Sequence, residues 1–334
     1  METATLLGVM TKRKPFSQVL KNLFFPNVQY FHSKKIDLDK VKKKLRRAPF
    51  VSPMVGGQVR RHEGVSTLSV YPAYVKPKDP FEPDQTQHRL PGESYATPLT
   101  PQQRRNAIFG AMAVDQDLEI DVTEEWMCAQ LLKFGKIVIE SEFYPKSEVN
   151  LQRDPNNTIV LTAGTTWKDL NKDTHDLDAD LTDYMSRASM PVVTMLMNQF
   201  TYAEFCQFKS VKEKLETRRG SSSRLETAAF NGQLFVKMGD YGPVEVWVYS
   251  GTFDHSDGTE ELFFGDGEIL FAGSGAQGTM CYGMIQDPKA NYQAMERFPK
   301  VFEDDDPAGE YLMTQSAPLP VMQDPDEVVY LKAF

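Results

Sequence analysis

TPQQRRNAIFGAMAVDQDLEIDVTEEWMCAQLLKFG, residues 100–135, is the stretch on which the fold turns. Thr100 is a natural N-cap, Pro101 suits the first helical position, and Gln103 completes a capping box. Ala107, Ala111, Val114, Leu118, Val122, Trp126, Ala129 and Leu132 then recur at steps of three or four. Gln103, Asp117, Asp121, Glu124 and Glu125 fall mostly off that stripe. The pattern predicts one amphipathic helix. Gly135 suits the left-handed position that ends a helix. Pro101 to Phe134 would form a rod about 50 Å long at about 1.5 Å per residue, against a usual length of about 11–12 residues. Such a helix runs the length of a domain as a beam.

Just upstream, residues 72–101 carry seven of the 21 prolines: Pro72, Pro77, Pro80, Pro83, Pro91, Pro98 and Pro101. Proline fixes φ and biases its predecessor toward extended geometry, so this stretch predicts an extended arm. Before it, Gln58 to His62 and Val65 to Tyr71 read as a hairpin around Glu63-Gly64. Ser66, Leu68 and Val70 share one face of the second strand. Two strands with so few apolar side chains are marginal in water. The expectation is that the hairpin projects and gains stability only on a partner. Leu68 and Val70 could then be replaced by Asp with the monomer still folded.

Downstream, strands are predicted at Lys136–Tyr144 and Thr158–Thr162, and a helix near Asp176–Ser189. A further helix opens with a capping box from Thr201 to Glu204 and stops at Gly220. Strands follow at Gln233–Lys237, Val244–Tyr249, Leu262–Phe264 and Ile269–Ala272. A short helix starts at Asp287-Pro288, and the last strands are Tyr311–Gln315 and Val328–Lys332. Helices and strands mix without regular βαβ alternation, which predicts an α+β fold.

The chain has 334 residues, enough for about two domains at about 150 residues each. It is 41% hydrophobic and 25% charged, a globular composition that excludes wholesale disorder. It has no apolar run of about 18 residues to cross a membrane as a helix. Met1 to Pro15 has no signal-like apolar core, which predicts no secretion. Cys128, Cys206 and Cys281 are too few and too scattered for a disulfide framework or a CxxC metal site. Net charge is −9 but unevenly spread: residues 1–50 sum to +9 and residues 301–334 to −7. A basic arm and an acidic tail on one chain favour head-to-tail contacts, or are simply two solvated faces.

No motif supplies a catalytic apparatus. Residues 273–278 spell G-x-G-x-x-G after a strand. A dinucleotide site needs a helix next, and Thr279–Ile285 reads as strand, so the hexad is a glycine turn. The five histidines lack zinc-enzyme spacing. Asp304-Asp305-Asp306 lacks the remaining EF-hand ligands. The charged Lys209–Arg219 stretch reads as a solvated helix face. No cofactor, metal or catalytic residue is expected.

Several segments resemble one family. Tyr74-Val-Lys-Pro-Lys78, Arg89-Leu-Pro91, Phe208-Lys-Ser-Val-Lys-Glu-Lys-Leu-Glu-Thr-Arg-Arg-Gly-Ser221, Leu225-Glu-Thr-Ala228, Val248-Tyr-Ser-Gly251, Thr314-Gln-Ser-Ala-Pro-Leu319 and Asp324-Pro-Asp-Glu327 resemble, in order, the bacteriophage lambda major capsid protein (protein E) family. The resemblance implies the Hong-Kong-97-type capsid fold. It divides the chain into an N-terminal arm (1–50), an E-loop and proline-rich connector (51–99), a P-domain with the spine helix (100–190), an A-domain (191–300) and return strands of the P-domain (301–334). It implies pentamers and hexamers forming an icosahedral head around double-stranded DNA, in the virion after assembly in host cytoplasm. Scaffold, portal and a decoration protein at threefold positions are the implied partners. The residues expected to touch a subunit or decoration protein are Arg60, Arg61, Leu68, Val70 and Tyr71. Two alternatives stand beside this reading: an encapsulin-like compartment, and a nicotinamide-dependent oxidoreductase using the 273–278 glycines.

Overall fold

In a computed structural model, residues 16–40, 47–48, 50, 54, 56, 66–90, 93, 98–141, 144–212, 234–255, 258–305 and 308–334 are described. The named helices are α1 (Val19–Phe24), α2 (Pro101–Phe134), α3 (Leu177–Ser186) and α4 (Gln199–Phe205). Helix α2 has the expected limits and caps. The Thr100 hydroxyl accepts the Gln103 amide at 3.3 Å, and the Gln103 side chain accepts the Thr100 amide at 2.9 Å. Gly135 sits at φ 65°, and its N–H reaches Leu131 O at 2.8 Å.

The buried face of α2 is not the expected stripe. Val114 is 54% exposed and Ala111 is exposed, while Ile108, Gln116, Ile120, Glu124, Glu125, Met127 and Cys128 are buried. The first half of the helix lies on one small sheet. Its second half is packed by α1, by the ribbon after it and by strands Pro318–Met322 and Val328–Lys332. Polar residues hold buried positions there because distant chain segments bring them partners, which apolar periodicity cannot register.

A six-stranded sheet runs in the order Thr158–Val160, Val328–Lys332, Glu268–Gly273, Val192–Met197, Val244–Tyr249, Phe235–Tyr241. It separates two cores, because successive side chains on a strand point to opposite faces. Leu196, Leu270 and Ala272 join the core shared with α1 and α2. Met195, Met197, Ile269 and Phe271 join a second core with Trp167, α3 and α4. Burial on both faces explains why these strands read as continuous apolar runs.

Two three-stranded sheets complete the frame. One has the order Asn27–Tyr30, Gly278–Tyr282, Pro318–Met322; the other has Phe298–Asp305, Ala308–Gln315, Lys78–Phe81. Among the described residues three ribbons join Ile36–Lys40 to Ser66–Val70, Lys136–Ser141 to Tyr144–Asn150, and Thr252–Asp254 to Glu260–Leu262.

Ser66–Val70 pairs with Ile36–Lys40, Ile36 opposite Val70; the strand expected at 58–62 lies outside the described residues. Ile36 and Val70 both sink into the first core, which sets the register. The helix expected from Thr201 begins instead after Asn198, whose side chain accepts the Thr201 amide at 2.8 Å. This piece ends at Phe205, and helical backbone resumes at 209–212; the expected stop at Gly220 lies in 213–233, outside the described residues. Thr201 is buried, its hydroxyl accepting the Gly267 amide at 2.8 Å. The short helix at Pro288 is one 3₁₀ turn, Pro288–Ala290, capped by Asp287.

Candidate assembly site on the long helix

Adjacent glutamates in α2 carry the tie to the N-terminal segment. Glu124 and Glu125 are both fully buried. Glu124 accepts Lys21 Nζ at 2.8 Å and Gln18 Nε2 at 3.2 Å on one oxygen. Its other oxygen accepts Arg297 Nη1 at 2.6 Å and the Tyr282 hydroxyl at 3.1 Å. Asp121, one turn earlier, takes Arg297 Nη2 at 2.7 Å. Burial by itself would raise the Glu124 carboxyl, but Arg297 and Lys21 hold it below the usual carboxylate range.

Glu125 faces backbone rather than cations. It accepts the Leu20 amide at 2.7 Å, the Lys21 amide at 3.1 Å and the Tyr249 hydroxyl at 3.0 Å. Burial pushes its pKa up, and those donors only partly offset this. The pair seats α1, so Leu20, Phe24 and Phe25 fill the first core. Removing one partner from such a cluster strands the others in low dielectric, at a cost of about 3–5 kcal/mol.

Further ties secure the two ends of α2. At its C-terminus, Lys133 meets Glu268 at 2.6 Å, and Glu268 also accepts the Tyr330 hydroxyl at 2.8 Å. Arg153 donates to Leu132 O at 2.7 Å, to Lys133 O, and to Thr158 Oγ1 at 2.6 Å. These bonds satisfy the helix's last carbonyls and fasten it to the six-stranded sheet. Near its start, Glu93 accepts Arg104 at 2.7 Å and the Leu90 and Leu99 amides at 2.9 and 2.7 Å. Arg104 and those amides hold its carboxyl at about 2. Gln116 donates to Asp79 at 2.8 Å and Leu312 O at 3.0 Å, and accepts Thr314 Oγ1 at 2.8 Å. The proline-rich arm is thereby strapped to the beam.

The five expected contact residues are placed unevenly. Arg60 and Arg61 lie outside the described residues. Leu68 stands opposite Leu38 in the ribbon ladder. Val70 is 7% exposed and belongs to the chain's own core, a correction to its expected role at a partner surface. Tyr71 is 46% exposed, with Lys35 Nζ 5.2 Å from its ring centroid.

The glycine loop joins strands of two different sheets, and the element after Gly278 is a strand. Its glycines are explained by close packing. A Cβ on Gly278 would lie 2.4 Å from Phe25 Cδ1 and 2.6 Å from Val321 O, and one on Gly275 would lie 2.8 Å from Glu327 Oε1. With no helix N-terminus behind the loop, these residues do not fit a dinucleotide.

Sequence reasoning missed Lys21, Glu124, Glu125 and Arg297. One signal was present. Glu125 lies four residues before Ala129 and seven before Leu132, so it shares a helix face with the one part of the expected stripe that is buried.

Comparison with known proteins places the whole arrangement. Residues 2–333 match the family described as phage major capsid protein E. The chain is 36% identical to the major capsid protein of Escherichia phage lambda over 98% of this chain and 97% of that protein. It is 36% identical to the major capsid protein of Enterobacteria phage P21 over 99% and 98%. A crystal structure described as a capsid protein of an Escherichia coli CFT073 prophage superposes with TM-score 0.72 and 28% identity, covering 97% of this chain and 94% of that one.

Proposed function

This chain belongs to the phage major capsid protein E family, and from that premise we propose that its copies assemble as pentamers and hexamers into an icosahedral head around double-stranded DNA. It is a structural capsid protein, not an enzyme. The supporting observation is the family match across residues 2–333. It covers the seated N-terminal segment, the strapped arm, the beam and the six-stranded sheet alike. The encapsulin-like and oxidoreductase readings gain no comparable support.

Assembly proceeds in host cytoplasm with a scaffold and a portal. The 1–50 arm and the 51–99 connector are seated on their own subunit at residues 19–25 and 78–81 and offer their remaining parts to neighbours, while residues 100–190 with 301–334, and 191–300, make the two body domains. Arg60, Arg61, Leu68 and Tyr71 face a neighbouring subunit or a decoration protein at threefold positions. Their arginines give that contact salt sensitivity. Negative-stain electron microscopy of the purified protein tests the proposal. Polyhedral shells or capsomers are expected; discrete small oligomers or monomers at every concentration would overturn it.

A further inference from the structure

We propose that copies of this chain join head to tail, a cationic cleft on one copy receiving the acidic hairpin tip of the next. This deepens the shell-forming reading and rests on it for the identity of the partner.

The cleft, of about 430 Å³, is lined by Lys34, Tyr71, Tyr74, Lys76, Met284 and Gln286 among others. Lys76 Nζ lies 4.8 Å from the Tyr74 ring centroid and Lys35 Nζ 5.2 Å from that of Tyr71. Lys34, Lys35 and Lys76 are exposed, and among the described residues none of them makes an ion pair. The Tyr74 hydroxyl donates to Gln315 Oε1 at 2.6 Å and accepts the Gln286 amide at 3.0 Å, which fixes the wall. Asp287, whose charge bears on Tyr74, is already taken by Lys300 at 2.7 Å. Lys34 and Lys76 thus line one cleft with Lys35 beside it, unpaired among the described residues, on a chain of net charge −9, a local field that selects an acidic partner.

The complementary feature is the far end of the hairpin formed by Phe298–Asp305 and Ala308–Gln315. Glu303 and Asp304 are exposed and make no ion pair among the described residues. Glu310, which stands opposite Glu303, is already bound by Arg105 at 2.6 Å. Glu303 and Asp304 are therefore carboxylates without an ion-pair partner among the described residues.

Cleft and tip sit at opposite ends of one ladder. Val75 bridges Ser316 and Phe298 pairs with Gln315 at the cleft end; Asp305 pairs with Ala308 at the tip. Seven steps of antiparallel strand span about 24 Å. A hydrogen-bonded sheet cannot fold that far back, so the tip cannot reach its own cleft. Among the described residues the two patches therefore cannot meet within one chain, and a second copy supplies the complement. Such a contact uses two different patches, and repeating it closes a ring or continues an array.

Two measurements on the full chain test this. Pairing Lys76→Cys with Asp304→Cys should produce, on oxidation, a ladder of covalent oligomers on non-reducing gels, absent from either single variant. Separately, Lys34→Glu with Lys76→Glu, or Glu303→Lys with Asp304→Lys, should raise the concentration needed for assembly at least about tenfold. Combining all four should restore it. No ladder from protein that assembles, or reversals that leave assembly unchanged, would overturn the contact while leaving the shell reading standing. Wild-type protein that stays monomeric at every concentration would instead overturn both.

Discussion

Glu125→Gln probes the tie between the N-terminal segment and the beam without opening a cavity. One carboxylate oxygen serves Leu20 N and the Tyr249 hydroxyl, the other serves Lys21 N at 3.1 Å. The glutamine oxygen can replace the first. Its NH₂ then faces the Lys21 amide, donor against donor. The loss is one bond to a charged acceptor, worth about 1.5–3 kcal/mol, with an amide left unsatisfied in its place. We take about 2–3 kcal/mol, which at about 1.4 kcal/mol per decade speeds local opening about 30–150-fold. Hydrogen exchange at pH 7 reads this directly. The peptide spanning residues 16–25 should accelerate by that factor, while strand Glu268–Gly273 changes less than about threefold. Because burial raises the folded pKa of Glu125, the difference between variant and wild type should narrow as pH falls and the wild-type carboxyl becomes neutral. The reasoning fails if residues 16–25 barely change, or if both segments accelerate equally, since the segment would then not be a separately seated unit.

Opposite signs are expected at two glycines. Gly278→Ala drives a Cβ to 2.4 Å from the Phe25 ring and should destabilise by about 1–3 kcal/mol. Gly110→Ala on α2 meets nothing within 4 Å and should stabilise by about 0.5–1 kcal/mol; thermal melts decide both. Val70→Asp buries a charge in the first core and should lower the melting temperature of the unassembled chain sharply, whereas Tyr71→Asp, at a site 46% exposed, should leave it within about 1 °C. Glu93 and Asp287 are held at about 2 from ordinary values of 4.5 and 3.8 by Arg104 and Lys300 respectively. Their stabilisation is complete above those ordinary values and is lost as pH falls toward 2, because the unfolded chain binds the protons first. A pH titration of stability should therefore decline over that window, and Glu93→Gln should make the decline shallower.

The limits and caps of α2 were legible in the sequence because they are local. Thr100, Gln103, Pro101 and Gly135 act on groups within four residues, so type and spacing suffice. Helix α3 and strands Val244–Tyr249 and Val328–Lys332 were legible for the same reason: their patterns are contained in their own residues. The family was also legible, through long ordered segments shared with known capsid proteins. Tertiary structure alone decided which face of α2 is buried, because Lys21 and Arg297 reach Glu124 from 103 and 173 residues away. It alone decided that Ser66–Val70 pairs with Ile36–Lys40, and that Val70 is core rather than surface. Burial of a polar group depends on whether the fold delivers its partner, and a linear pattern carries no record of that delivery.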